Sequence, residues 1–302
     1  MVNIKKKIIG NQSYYYLEHS TRENKEVKKY ELYLGKKIPK DIDRIKNDFI
    51  YSIYKSKWFE KFDKIKQNYQ KERRMIPASI LSKNIEDFII KFTYDTNRIE
   101  GSKLTFRETA MLLQKGVTPK KPLSDVKEAE NHKKVFYMIL SYKKDLSLQI
   151  LLYWHKLLFE DTKPDIAGKI RNYQVAIAGS RFMPPSPAEV EVLLREFFKW
   201  YDSNKRKMHP VELAALVHLK LVSIHPFGDG NGRISRLAMN FILNRYGFPM
   251  LNIEYKNRNS YYSALERAQT KKNDLIFLNW FFKKYLKENH KYLGDSKRIA
   301  IG

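Results

Sequence analysis

The chain has 302 residues, 43% of them hydrophobic and 30% charged, which is too apolar for general disorder and long enough to bury a sizeable core. It contains no cysteine, excluding a disulfide scaffold, a thiolate zinc site and a cysteine nucleophile. Lys and Arg number 58 against 33 Asp and Glu, but the excess is +9, +6 and +10 over residues 1–100, 101–200 and 201–302, so it forms no basic arm and reads as surface bias before a polyanion site.

Residues 11–35 carry aromatic and β-favouring runs around a polar Thr21-Arg22-Glu23-Asn24 turn, which predicts a small hairpin. Pro39 opens a long helical stretch to about Met75, with Ile42, Ile45, Phe49, Ile53 and Phe62 at helical spacings. Pro77 breaks it. Helices are predicted over Ile80–Arg98, Thr105–Lys115, Val126–Tyr142 and Leu148–Phe159. Between Gly168 and Ala178 the pattern changes, and alternating Val175 and Ile177 suggest a strand. Ser186 or Pro187 starts a helix through Trp200. His209–Ile224 is apolar on nearly every face and predicts a central buried helix. Helices from about Ile234 to Arg245, Tyr261 to Gln269 and Leu275 to Leu286 close the chain. The class is mostly α with a minor hairpin or two. No apolar run approaches the roughly 20 residues of a bilayer span, and the first ten residues lack a signal peptide's apolar region and cleavage site. A cytoplasmic protein without a membrane partner is expected.

The chemistry concentrates in His225-Pro226-Phe227-Gly228-Asp229-Gly230-Asn231-Gly232-Arg233-Ile234-Ser235-Arg236. A glycine-rich turn entering a helix aims several N–H groups at one point, an arrangement suited to phosphate. Arg233 and Arg236, three apart, share a helix face and can hold further phosphate oxygens. Asp229 is a hard oxygen ligand suited to Mg²⁺. Asn231 can hydrogen-bond a phosphate oxygen. His225, at the loop entrance, can accept a proton when neutral.

This stretch resembles the signature of Fic-domain (Fic/DOC) proteins, His-Pro-Phe-x-Asp-Gly-Asn-Gly-Arg-x-x-Arg, at every defined position. Gly168–Arg171, Val175–Gly179 and Pro184-Pro185 are similar to the family's flap hairpin, and Tyr261-Tyr262 to its segment near the adenine. The resemblance covers roughly residues 80–290. It implies a helical-bundle core (126–290) with a β-hairpin flap, an inhibitory-helix region (77–125), an N-terminal extension of hairpin and long helix (1–76) and a short tail (291–302). It also implies a protein adenylyltransferase, moving AMP from ATP to a Ser, Thr or Tyr hydroxyl of a target protein, or of itself, with release of pyrophosphate. In that reading His225 deprotonates the hydroxyl and Asp229 holds Mg²⁺. Gly230, Asn231 and Gly232 stabilise the α-phosphoryl charge, and Arg233, Ser235 and Arg236 bind the outer phosphates. Tyr261 and Tyr262 flank the base. Ala178, Gly179, Ser180 and Arg181 pin the target's backbone as an added strand.

Thr96-Asn97-Arg98-Ile99-Glu100-Gly101 reads by itself as a helix C-terminus with Gly101 at C′. A carboxylate in the last turn opposes the helix dipole, so Glu100 needs compensation. The segment matches the family's inhibitory motif, Ser/Thr-x-x-x-Glu-Gly/Asn, which implies that Glu100 pairs with Arg236 and restrains the enzyme. The same glutamate serves removal of AMP in some relatives, and that alternative stays open. So do transfer of another nucleotide or phosphocholine, a kinase-like reaction, and a basic nucleic-acid-binding regulator with a vestigial site. The intact Gly232 favours AMP transfer over the kinase-like branch. A homodimer is left open. His209 and His218 are read as a helix-start and a core histidine rather than a zinc pair, and His19, His132, His155 and His290 have no partners legible in the sequence.

Overall fold

The computed structural model describes residues 2–23 and 26–294. It divides into two compact units, one ending at Lys61 and the other beginning at Phe62. The division falls inside the long helix α1, Ile42–Met75.

In the first unit, β1 (Asn3–Ile9), β2 (Gln12–Glu23) and β3 (Glu26–Gly35) form an antiparallel sheet in the order β1-β2-β3. The predicted hairpin is thus the second half of a three-stranded sheet. β1, with three consecutive lysines, gives little period-two signal of its own, yet it pairs with β2 from Asn3↔Glu18 to Ile9↔Gln12. Of the predicted turn, Thr21 to Glu23 continue β2, and Asn24 lies outside the described residues. Alternation sets the faces. Leu17 is fully buried against Phe49 and Ile53 of α1, while Tyr16 packs against Tyr33 in a tilted pair at 5.1 Å, with the Lys7 ammonium 4.3 Å from the Tyr16 ring.

The second unit is helical. Among the described residues it contains α2 (Ala78–Ile99), α3 (Phe106–Lys115), α4 (Leu123–Ser141), α5 (Leu148–Phe159), α6 (Pro187–Asn204), α7 (Pro210–Ile224), α8 (Asn231–Arg245), α9 (Arg258–Thr270) and α10 (Asp274–Glu288). Local signals start several of them. Thr105 and Glu108 form a capping box, Ser147 accepts from Ile150 N–H, and His209 Nδ1 accepts from Val211 N–H. Such caps satisfy donors that a helix start leaves open. α7 is buried on all sides and packs along α8, with α2, α4, α5, α6 and α10 around the pair. The core therefore sits beneath the turn joining α7 to α8.

The expected flap strands do not form: residues 171–185 contain no strand. Pro184 and Pro185 have no N–H for a ladder. Side chains hold the segment instead. Arg171 donates to the carbonyls of Tyr173 (3.0 Å) and Pro185 (2.6 Å), and Gln174 Nε2 to that of Pro184 (3.1 Å). A turn closes at Ile177–Ser180, with Gly179 at φ 74°. Part of the expected tail, residues 295–302, lies outside the described residues. No described helix is long and apolar enough to cross a membrane.

Candidate nucleotide site

His225 ends α7 in the left-handed conformation, φ 53° and ψ 56°. That geometry is uncommon without a glycine and concentrates at functional sites. Three bonds fix it. His225 N–H donates to Leu221 O (3.1 Å), its Nδ1 meets Val222 O (3.0 Å), and Arg171 Nε donates to its carbonyl (2.7 Å). A carbonyl partner requires the proton on Nδ1, so Nε2 keeps its lone pair. Burial pushes the imidazole below its ordinary pKa, against the opposing pull of Val222, Glu100 and Asp229. The ring is therefore a neutral base at pH 7.

The three loop glycines answer to different constraints. Gly230 is left-handed at φ 76° and also lies against the Phe159 ring. Gly228 and Gly232 are closely approached by side-chain ends: a Cβ would meet Tyr173 Oη at Gly228 and Glu100 Oε1 at Gly232, and would push those groups aside. The first intrahelical bond of α8 runs from Ile234 N–H to Gly230 O. The N–H groups of Asn231, Gly232 and Arg233 thus open the helix without intrahelical acceptors, as an anion site requires. Gly230 N–H is already taken by its neighbour, Asp229 Oδ1, at 2.5 Å.

Asn231 departs from its expected part. Its Oδ1 accepts from Phe227 N–H (2.8 Å) and its Nδ2 donates to Phe227 O (2.8 Å), with the residue buried. The side chain closes the loop rather than facing a ligand. Asn231→Ala is expected to cost about 2–3 kcal/mol, because it strands a buried N–H and carbonyl. Urea unfolding measures this, and a cost below about 0.5 kcal/mol would mean that the loop holds itself.

Arg236 is buried (1% exposed). Its Nε donates to Thr96 Oγ1 (2.7 Å), and its Nη atoms to Thr96 O (3.3 Å), Tyr261 Oη (3.3 Å) and Glu100 Oε1 (2.6 Å). Burial opposes its charge, but Tyr261 and Glu100 together hold the guanidinium above its ordinary value. Glu100 is the C-cap of α2, and Tyr262 Oη donates to Ile99 O at 3.0 Å, tying that helix end to α9. The compensation the α2 C-terminus called for is Arg236.

Arg233, also buried, pairs with Glu128 of α4, lies 3.5 Å from Asp229, and sits over the Phe159 ring at 4.6 Å. Asp229 is held below the ordinary carboxylate range: burial works the other way, but Arg233 and Lys163 prevail. Among the described residues no cluster of three His, Asp or Glu could hold a metal unaided. A single outward carboxylate fits Mg²⁺ that also takes phosphate oxygens and water.

His225, Gly232, Arg236, Glu100, Tyr261 and Tyr262 line one cavity of about 450 Å³, with Ala178, Gly179 and Ser180 on its flap side. Arg181 is outside that lining, but its N–H donates to Glu266 Oε1, which lines it, at 3.2 Å. Ser235 is buried on α8 and does not line the cavity. Tyr261 is fully buried, its hydroxyl shared between Arg236 and His218 (2.9 Å), and burial pushes it up to about 12. It supports Arg236 from below.

Several supporting residues carried no readable sequence signal. His155 of α5 stacks on Phe227 at 4.0 Å, accepts from Gly168 N–H at Nδ1 and donates from Nε2 to Asp229 O. His132 meets Thr93 Oγ1 at 2.8 Å. Arg171, Glu128 and Lys163 brace the loop from segments 54 to 105 residues away. Of these, Arg171 alone belongs to a segment with a sequence signal, the Gly168–Arg171 run.

Burial depresses the pKa of His132 to about 3, of His155 to about 4 and of His218 to about 3. The folded chain keeps these rings neutral, while the unfolded chain protonates them near 6.5. Their contribution is complete above pH 6.5 and is lost as the pH falls from there toward about 4 for His155 and about 3 for His132 and His218. Each is expected to remove roughly 1 kcal/mol per pH unit in that window. Urea midpoints from pH 7.5 to 4.5 test this: a flat profile contradicts it, and His218→Phe should reduce the slope.

A base, an open helix N-terminus and the buried Arg236 around one cavity, with Arg233 paired to Glu128 outside its lining, make this a helical protein arranged to receive an anionic ligand. Residues 145–243 match the Fic/DOC family and are a Fic/DOC domain. Curated relatives named Protein adenylyltransferase Fic include that of Nematostella vectensis, 34% identical over 217 residues, and that of Drosophila melanogaster, 34% over 185. The matches cover 69% and 58% of this chain, but only 50% and 36% of those proteins. The chain thus spans half or less of the length of these two curated relatives. Among solved structures, a Fic domain containing signaling protein from Bacteroides thetaiotaomicron superposes with a TM-score of 0.68 at 29% identity, covering 76% of this chain and 95% of that one. Fic-1 (residues 134–508) from C. elegans gives 0.70 at 26%, covering 81% and 73%.

Proposed function

We propose that the chain is a protein adenylyltransferase, restrained by Glu100, that moves AMP from ATP to a hydroxyl of a target protein or of itself. The observation that carries this is the placement of a neutral His225, Nε2 lone pair free, beside the open N-terminus of α8. The named relatives support the same chemistry.

The α-phosphate lies against the N–H groups of Asn231, Gly232 and Arg233. Nε2 of His225 takes the proton of the target hydroxyl as its oxygen bonds to the α-phosphorus. The bond from that phosphorus to the oxygen bridging to the β-phosphate breaks, and pyrophosphate leaves. Fixed N–H groups and Arg236 offset the charge without reorganising. Mg²⁺, held by Asp229, would add charge neutralisation at the phosphates. Ala178, Gly179 and Ser180 of the flap border the cavity where a target segment would enter, and Arg181 follows just outside it. Tyr262 and the walls of the cavity receive the base. While Glu100 holds Arg236, the outer phosphates lack their buried counter-charge and ATP sits unproductively.

ATP labelled at the α- or the γ-phosphate separates the chemistries. Label reaching protein from the α-position alone supports AMP transfer. Label from the γ-position alone means a kinase-type reaction and overturns the proposal.

A further inference from the structure

We propose that Lys163 is a resident counter-cation of the metal position: its ammonium stands on the Asp229 oxygen that a divalent ion needs, and the ion binds by displacing it onto Glu128. This rests on the reading of Asp229 as the metal ligand.

The two Asp229 oxygens are not equivalent. Oδ1 is engaged by Gly230 N–H at 2.5 Å. Oδ2 is the oxygen left for an outside cation, and Lys163 Nζ occupies it at 2.5 Å. The same ammonium lies 3.3 Å from Glu128 Oε1. Lys163 therefore bridges two carboxylates.

The lysine has somewhere to go. Its backbone is anchored just after α5, where its N–H donates to Phe159 O at 2.8 Å. Its side chain is 38% exposed, so the ammonium can leave Oδ2 and keep Glu128. Glu128 stays in place, with Oε2 on Arg233 and Thr162 Oγ1 donating to Oε1 at 3.3 Å. Displacement thus exchanges one ion pair without orphaning the lysine.

Charge balance sets the consequence. Lys163 and Arg233 already neutralise Asp229 and Glu128. A divalent ion entering alone leaves the group at net +2 and is opposed. An ion arriving with a nucleotide's phosphates brings its own compensation. Removing the lysine leaves one uncompensated carboxylate and favours the bare ion.

Mn²⁺ binding to the full chain, followed by the paramagnetic resonance of the free ion, tests this without any turnover. Lys163→Met is expected to bind Mn²⁺ alone about tenfold more tightly than the wild type. Lys163→Arg, which keeps the charge, is expected to match the wild type, and adding Asp229→Asn to Lys163→Met should remove the gain. Thermal melts confirm that each variant is folded. Equal or weaker Mn²⁺ binding by folded Lys163→Met overturns the inference. If Asp229→Asn also fails to weaken Mn²⁺ binding to the ADP-loaded wild type, Asp229 is not the ligand and the metal reading falls with it. If Asp229→Asn does weaken it, only the role of Lys163 falls.

Discussion

Glu100→Gly is expected to raise AMP transfer roughly 10- to 100-fold, the span of a coupling of a few kcal/mol between two states. The buried Arg236 makes four bonds, and only the one to Glu100 brings an opposite charge. Without that carboxylate the guanidinium keeps Thr96 and Tyr261, but its charge now faces the cavity unpaired. Phosphates of ATP become its counter-ion, so the lost restraint appears as tighter and better aligned nucleotide. Backbone strain does not complicate the variant, since residue 100 has φ −88° and ψ 6°, which glycine adopts freely. The same change lowers the stability of the nucleotide-free protein, because a buried charge loses its partner. The expected pair of results is a lower melting temperature alone and a larger upward shift on adding ATP. Glu100→Gln, which keeps an acceptor but no charge, should fall between. Unchanged transfer and an unchanged ATP shift in Glu100→Gly would show that the ion pair does not restrain the enzyme.

His225→Ala is expected to reduce transfer by about 10² to 10⁴, the usual worth of a positioned base. Alanine is strained at φ 53°, so His225→Asn is the companion variant; asparagine tolerates the left-handed conformation. Both should retain ATP binding, since Nε2 holds a proton and not a phosphate in this mechanism. Transfer by the wild type should fall only as the pH drops below the ordinary imidazole range, because the folded ring titrates below it. Measured on Glu100→Gly, where the signal is large, the acid limb lies below pH 6.5. An acid limb above 6.5, or full activity in His225→Asn, would remove this residue from the chemistry.

The local parts of the molecule were legible in the sequence. Apolar spacing and breakers such as Pro39 and Pro77 place the helices to within a few residues, His209 sits at one start as its place before Pro210 suggests, and the all-apolar run to Ile224 is the central α7. The loop from His225 to Arg236 could also be read, because its chemistry depends on residue types at fixed short spacing. Strands were less legible. β1 pairs through backbone bonds that its lysines do not advertise, and the flap stays without strands because prolines and side-chain bonds displace the ladder. Supporting residues were invisible for a further reason. Asn231 reads as a phosphate ligand until the fold aims both ends of its amide at Phe227. Nothing near His155, Glu128 or Lys163 in the chain signals that each lies against Asp229 or Arg233. Residue type and spacing decide what a short segment can do. Which long-range partner holds each group, and so its protonation, exposure and freedom to meet a ligand, is decided by packing between helices distant in sequence, and only the tertiary structure supplies that.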